Sequence, residues 1–189
     1  MKWNRVAVLA VATVGMVSGM GLAPRLEAQT QMTASMSVQS VEAADAGRLG
    51  QKFVALAGAM TGKYDWRPGP GVRSVADVFN LMLRENGMLT RVLTGEPMQP
   101  DAKQDAKMMP ISDPAKMQDA LRASYDALQK TIGGMTDSQM QEQVKMFGRE
   151  MTKQNALLML LSDQHEHLGQ SIAYARTNGV VPPWSKPRS

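Results

Sequence analysis

Both histidines of this 189-residue chain lie in one stretch, SDQHEHLGQ, from Ser162 to Gln170, with Asp163 and Glu166 beside them. Imidazole and carboxylate together are donors for a divalent metal such as Zn, Ni or Mn, and such an ion brings Lewis-acid or metal-bound-water chemistry. The chain has no cysteine, so thiolate metal sites, cysteine nucleophiles and disulfides are excluded. Spacing on a helix then sorts the four polar residues. At about 100° per residue, Asp163 and His167 stand one turn apart on one face and can present two ligands to one ion. His165 is about 200° from both, so it faces water rather than sharing their ion. Glu166 lies to the side.

Two donors are fewer than the three protein ligands of a catalytic zinc site. The third must come from another segment, and Glu85 is the first candidate, with Asn86 next. Two readings stand side by side. Either Asp163, His167 and Glu85 hold a metal, or Asp163 orients His167 by a hydrogen bond and Glu85 is a solvated charge. The helical line through Ala156, Met159, Leu160, Asp163, His167, Gln170 and Tyr174 is mostly apolar, which directs the pair toward a core.

The elements that must carry these residues are helices. Val41, Ala44, Leu49, Phe53, Leu56 and Met60 recur at spacings of three and four, which predicts a first helix over 38–60, with Gly47 and Gly50 weakening its start. A Pro- and Gly-rich loop follows. Ser74 with Asp77 three residues on predicts the start of a second helix running to about Leu93, its buried face built from Val75, Phe79, Met82, Asn86 and Leu89. Residues 95–113 form a long connection containing three prolines. Asp113 and Pro114 open a third helix whose stripe is Met117, Leu121, Tyr125, Leu128 and Ile132, stopped at Gly133-Gly134. Thr136 to Met146 reads as a short helix, and about Arg149 to Thr177 as the longest. No strand and no repeat is evident. Four main helices with irregular links predict an all-α four-helix bundle.

The N-terminus sets a short basic region, Lys2 and Arg5, before an apolar, small-residue run, Val6 to Leu22, and a small residue at Ala28. That is the layout of a signal peptide over 1–28, with an N-terminal membrane anchor as the alternative. Residues 29–37 read as a flexible lead-in and 38–187 as the folded domain. The expected location is the periplasm or the outside of the cell, with no stable membrane insertion after cleavage. Loss of residues 1–28 removes Lys2, Arg5, Arg25 and Glu27 and lowers the formal charge from +4 to +2. That balance offers no basic patch for nucleic acid. The 17 methionines suit a Met-rich helical core. Their scatter along the chain argues against a methionine copper motif.

Two segments resemble the DinB/YfiT-like superfamily. YDWRPGPGVRSVADVF, Tyr64 to Phe79, is similar to its first-loop and second-helix pattern, and HEHLGQSIAYARTNGVVPPWS, His165 to Ser185, is similar to its last-helix ending. The resemblance implies a four-helix bundle of up-down-down-up topology, with the long crossover between helices 2 and 3 supplied by 95–113. It implies a tendency to form homodimers. It also implies a metal site of one histidine on the second helix and two, four residues apart, on the last. Here the first of these positions falls on Leu81 and the second on Asp163; only His167 is kept. The resemblance therefore implies a degenerate site, in which Asp163 substitutes for imidazole and Glu85 lies one turn beyond Leu81. Trp66 and Arg67 are expected to pack the first loop, Gly169 to permit close helix approach, Tyr174 and Arg176 to tie the last helix to that loop, and Pro182-Pro183 to direct the tail away. The implied activities are an exported binding or structural role for a small molecule or metal, or a divalent-metal-dependent transferase of the thiol-transferase type.

Overall fold

A computed structural model describes residues 37–96 and 110–185. The expected signal segment 1–28 and all but the last residue of the lead-in lie outside the described residues. The order of elements is α1 (Val38–Ala59), α2 (Val75–Thr94), α3 (Pro114–Gly133), a single turn α4 (Asp137–Met140), β1 (Gln143–Met146), β2 (Arg149–Thr152) and α5 (Lys153–Thr177). The four long helices form the bundle. Among the described residues no helix is long and apolar enough to cross a membrane.

Local chemistry accounts for the helix ends. At α2, Ser74 and Asp77 close a reciprocal capping box. The carbonyls of Trp66 and Tyr64 take the amides of Val75 and Ala76, and the Ser74 carbonyl takes that of Val78. The four amides that a helix start leaves open, those of Ser74, Val75, Ala76 and Asp77, are thereby satisfied, and the first loop is bound to α2. Gly71, at φ 76°, makes the turn in that loop possible. At α3, Asp113 caps the amide of Lys116 ahead of Pro114 in the first turn.

Cross-helix contacts define the topology. Gly47 faces Gln129, Gly50 faces Tyr125 and Gly58 faces Gln118, so α1 and α3 run antiparallel. Asn80 near the start of α2 bonds the backbone of Ile111 just before α3, at 2.9 and 3.0 Å, so these two helices start at the same end and run parallel. Asn86 meets Gln164 and Arg73 meets Tyr174, so α5 is antiparallel to α2. The result is the up-down-down-up order, in which α3 begins one length of α2, about 30 Å, from where α2 ends. The core is lined along α3 by the expected stripe of Met117, Leu121, Tyr125, Leu128 and Ile132, all buried. Phe53 stacks on Tyr125 at 6.0 Å and meets Phe79 edge-on at 6.4 Å.

Four expectations need correction. The segment after α4 is no continuation of a helix but an antiparallel hairpin, with Met146 opposite Arg149 and Val144 opposite Met151. Its two-residue turn, Phe147-Gly148, has φ of 49° and 76°, the left-handed pair of a hairpin turn, and it delays the start of α5 to Lys153. Val41 is exposed while Gln39 and Glu42 are buried, so the first turns of α1 present a different face from the one its apolar residues suggest. Gly169 marks no close approach: it is exposed, and a Cβ there would meet nothing within 4 Å. The tail is not directed away, since Pro182 is buried and Lys52 sits 5.7 Å over the Trp184 ring.

The close-approach glycine is Gly50, whose added Cβ would lie 2.6 Å from Tyr125 Cβ. Gly50→Ala should destabilise the protein by about 1–3 kcal/mol through overpacking. Gly87→Ala, where nothing lies within 4 Å, should instead stabilise it by about 0.4–1 kcal/mol. Thermal and urea denaturation of the two variants would give shifts of opposite sign.

Candidate metal centre

Glu85 on α2 and Asp163 and His167 on α5 each place one donor atom within 4.8 Å of the others. The arrangement follows from a buried chain of side-chain hydrogen bonds immediately behind it. Tyr125 donates its hydroxyl to Gln164 Oε1 at 3.0 Å, Gln164 Nε2 donates to Asn86 Oδ1 at 2.8 Å, and Asn86 Nδ2 donates to Ser124 Oγ at 3.1 Å. Gln164 is fully buried, and Asn86 nearly so. Leaving either amide unpaired there costs about 1–3 kcal/mol, so the chain fixes the register of α2, α3 and α5. Glu85 precedes Asn86 and Asp163 precedes Gln164, so the same register brings the two carboxylates together.

The central core line of α5 passes through Leu157, Leu161, Gln164, Leu168 and Ala175 rather than through Asp163 and His167. The pair sits on the border of that line: the His167 side chain is 16% exposed and that of Asp163 44%. Glu85 is the reverse of the solvated charge described above. It is 7% exposed, and its Oε2 has no hydrogen-bond partner. Burial, followed by a hydrogen bond and charge repulsion from Asp163, pushes its pKa up to about 8. Asn86, the second candidate donor, is committed to the buried chain.

His167 is oriented from behind. Tyr174 donates its hydroxyl to the Arg73 carbonyl at 3.2 Å, and a carbonyl only accepts. The Tyr174 oxygen is therefore free to accept from Gln170 Nε2, at 2.8 Å. That leaves Gln170 Oε1 facing His167 Nδ1 at 2.9 Å, so Nδ1 carries the proton. Nε2 is thereby turned toward the cluster and faces Asp163 Oδ2 at 3.6 Å. Trp66 packs edge-on against the Tyr174 ring at 5.1 Å and anchors this relay to the first loop. Arg67 stands 3.8 Å from Asp77, and Arg176 is exposed. The sequence reading placed Tyr174 at the loop but missed Gln170 as the group that sets the tautomer; its three- and four-residue spacing from His167 and Tyr174 was the available signal.

His165 is half exposed and pairs with Asp45 of α1 at 2.7 Å, away from the donor cluster. Leu81 is half-buried against the core. A cavity of about 370 Å³ opens on the cluster, lined by Glu85, Met88, Phe147, Met159, Leu160, Asp163 and Glu166. A cavity of about 420 Å³ lies at the loop end of the bundle, around Lys63, Trp66 and Pro114. It is the larger, but the one three-donor cluster among the described residues, Glu85, Asp163 and His167, adjoins the smaller cavity, which Glu85 and Asp163 line.

This fold and these motifs define the class. The chain belongs to the DinB superfamily, whose sequence profile matches residues 47–171. Its fold is similar to that of a DinB-like protein from Bacillus subtilis, with a TM-score of 0.61, 14% identity, and 78% of this chain and 99% of that one covered. It is also similar to YfiT from Bacillus subtilis, described as a probable metal-dependent hydrolase with an unusual four-helix bundle topology. Here the TM-score is 0.62 and the identity 17%, over 78% of this chain and 92% of that one. A conserved protein from Enterococcus faecalis matches with a TM-score of 0.59 and 17% identity, covering 75% and 97% of the two chains. No curated protein matches the sequence.

The buried acid yields a pH signature. In the metal-free protein, folded Glu85 holds its proton up to about pH 8, against an ordinary value of 4.5. Below pH 4.5 both folded and unfolded chains are protonated and the group costs nothing. As pH rises toward 8, only the unfolded chain releases the proton, so stability falls. Glu85→Gln removes this loss and keeps a donor for Asp163. With chelator present, it should be near neutral at pH 4 and stabilising by roughly 2–3 kcal/mol at pH 7. Urea titrations at the two pH values check this, and an equal effect at both would refute the burial argument.

Proposed function

We propose that the protein is a metal-dependent enzyme acting on a small molecule, with Glu85, Asp163 and His167 holding one divalent ion beside the cavity that Glu85 and Asp163 line. The observation that carries this is the orphaned Oε2 of a buried carboxyl within 4.8 Å of two further donors. A buried carboxyl with one oxygen unpaired is costly, and a divalent ion is a partner that satisfies it with its neighbours. Two carboxylates and one imidazole suit Mn or Zn better than Ni. The chain falls short of the three-histidine pattern implied by the resemblance, because Leu81 offers no donor, and a weak, exchangeable site follows.

When bound, the ion supplies Lewis acidity and lowers the pKa of a coordinated water. The chain's own groups do the rest. Gln170 and Tyr174 hold the His167 tautomer, and the Asn86–Gln164 pair holds the two acids in register. Glu166 lines the cavity outside the donor cluster and is the group placed to accept a proton from water. Hydrolysis is the reaction class that this supports, in keeping with the description of the YfiT neighbour. The signal-peptide layout of residues 1–28 supports an exported protein. Export favours hydrolysis over transfer to a thiol cofactor, because such cofactors are mainly cytoplasmic.

Metal analysis after dialysis against micromolar Mn or Zn tests the reading. One ion per chain is expected, and none in His167→Ala. Gln170→Leu should weaken binding by about 10–100-fold without unfolding the protein, as loss of an orienting partner does. An unmetallated wild-type protein, or His167→Ala loading like wild type, would overturn the assignment.

A further inference from the structure

Phe147 stands at the tip of the hairpin and is 63% exposed. It is the one non-glycine with positive φ among the described residues. The first position of such a turn ordinarily takes Asn, Asp or Gly, so an aromatic side chain there works against both solvation and backbone preference. It lines the cavity at the donor cluster, where Met88, Met159 and Leu160 form the apolar part of the wall and Glu85, Asp163 and Glu166 the acidic part. Met159 is itself exposed. The volume, about 370 Å³, falls in the range of small-molecule sites, roughly 300–1,000 Å³. Among the described residues no Lys or Arg lines it, and the cations that act on Glu85, Arg73 and Arg84, stand outside the lining. The unpartnered Oε2 of buried Glu85 marks the polar end.

Building on the metal-site reading, we infer that the hairpin tip is the specificity element of the cavity. The site takes small molecules that carry an aromatic or other apolar group next to the polar group presented to the donor cluster. Phe147, Met88 and Met159 contact the apolar part. Flexible thioethers suit a range of apolar shapes, and the Phe147 ring supplies a stacking face. The hairpin lies outside the four-helix frame, so Phe147 acts on selection without touching the donors' hydrogen bonds.

Two matched pairs of probes test this. Benzohydroxamate against acetohydroxamate is measured on the Mn- or Zn-loaded protein by calorimetry. Phenethylamine against methylamine is measured on the metal-free protein by NMR titration. The phenyl member of each pair should bind about tenfold more tightly in the wild type. In Phe147→Asn, a residue the turn accepts, that advantage should shrink to about threefold or less, with metal content and binding of the small member unchanged. No advantage for the phenyl members, or an advantage that survives Phe147→Asn, overturns the inference. If the protein takes up no metal, the metal assignment fails while the amine pair still decides the role of Phe147.

Discussion

The chain of buried amides and hydroxyls from Tyr125 through Gln164 and Asn86 to Ser124 is the constraint on which the rest depends. Apolar contacts between helices tolerate sliding, because one leucine can replace another along a stripe. Paired amides do not: a shift of one residue leaves several groups unbonded in a medium that cannot solvate them. The chain joins α3, α5 and α2 at one level of the bundle. The residues just outside that level, Glu85 and Asp163, inherit their closeness from it. The donor cluster is thus a consequence of core specification as much as of its own side chains.

Within this frame the two acids meet at a cost, because Glu85 is driven to hold a proton beside Asp163. Glu85 is buried, meets a second acid and leaves one oxygen unpartnered. Such an arrangement departs from what a stability-optimised core would contain, and departures of this kind gather at functional sites. The surrounding molecule offsets it generously. The aromatic cluster of Phe53, Phe79 and Tyr125, the fully satisfied start of α2 and the close α1–α3 contact at Gly50 all lie nearby in the same bundle.

Much of this was legible in the residues. The stripe of α3, the caps at Ser74 and Asp113, and the stops at Gly95 and Gly134 follow from periodicity and local hydrogen bonding, and each is present. The exclusion of His165 followed from 100° per residue alone. The hairpin was not legible. QVKMFGREMT contains good helix formers, its alternation spans only four residues per strand, and its turn begins with Phe rather than Asn or Gly. The burial of Glu85 was hidden for another reason. Its helical face is decided by how α5 docks, which local sequence does not encode. The same docking rotated the core line of α5 from Asp163 to Gln164.

The up-down-down-up order has a consequence for folding. Asn86 and Gln164, whose bond aligns the acids, are 78 positions apart in the chain, and the crossover and all of α3 intervene. A partly folded chain with α5 helical but undocked retains the Asp163–His167 pair, since those two donors are one turn apart on a single helix. It lacks Glu85. Ion affinity conferred by the third donor would then belong to the fully docked bundle alone, and binding would draw the population toward that state by mass action. Metal supply would thereby act on the last step of assembly, favouring chains in which α5 has found its place over those still open.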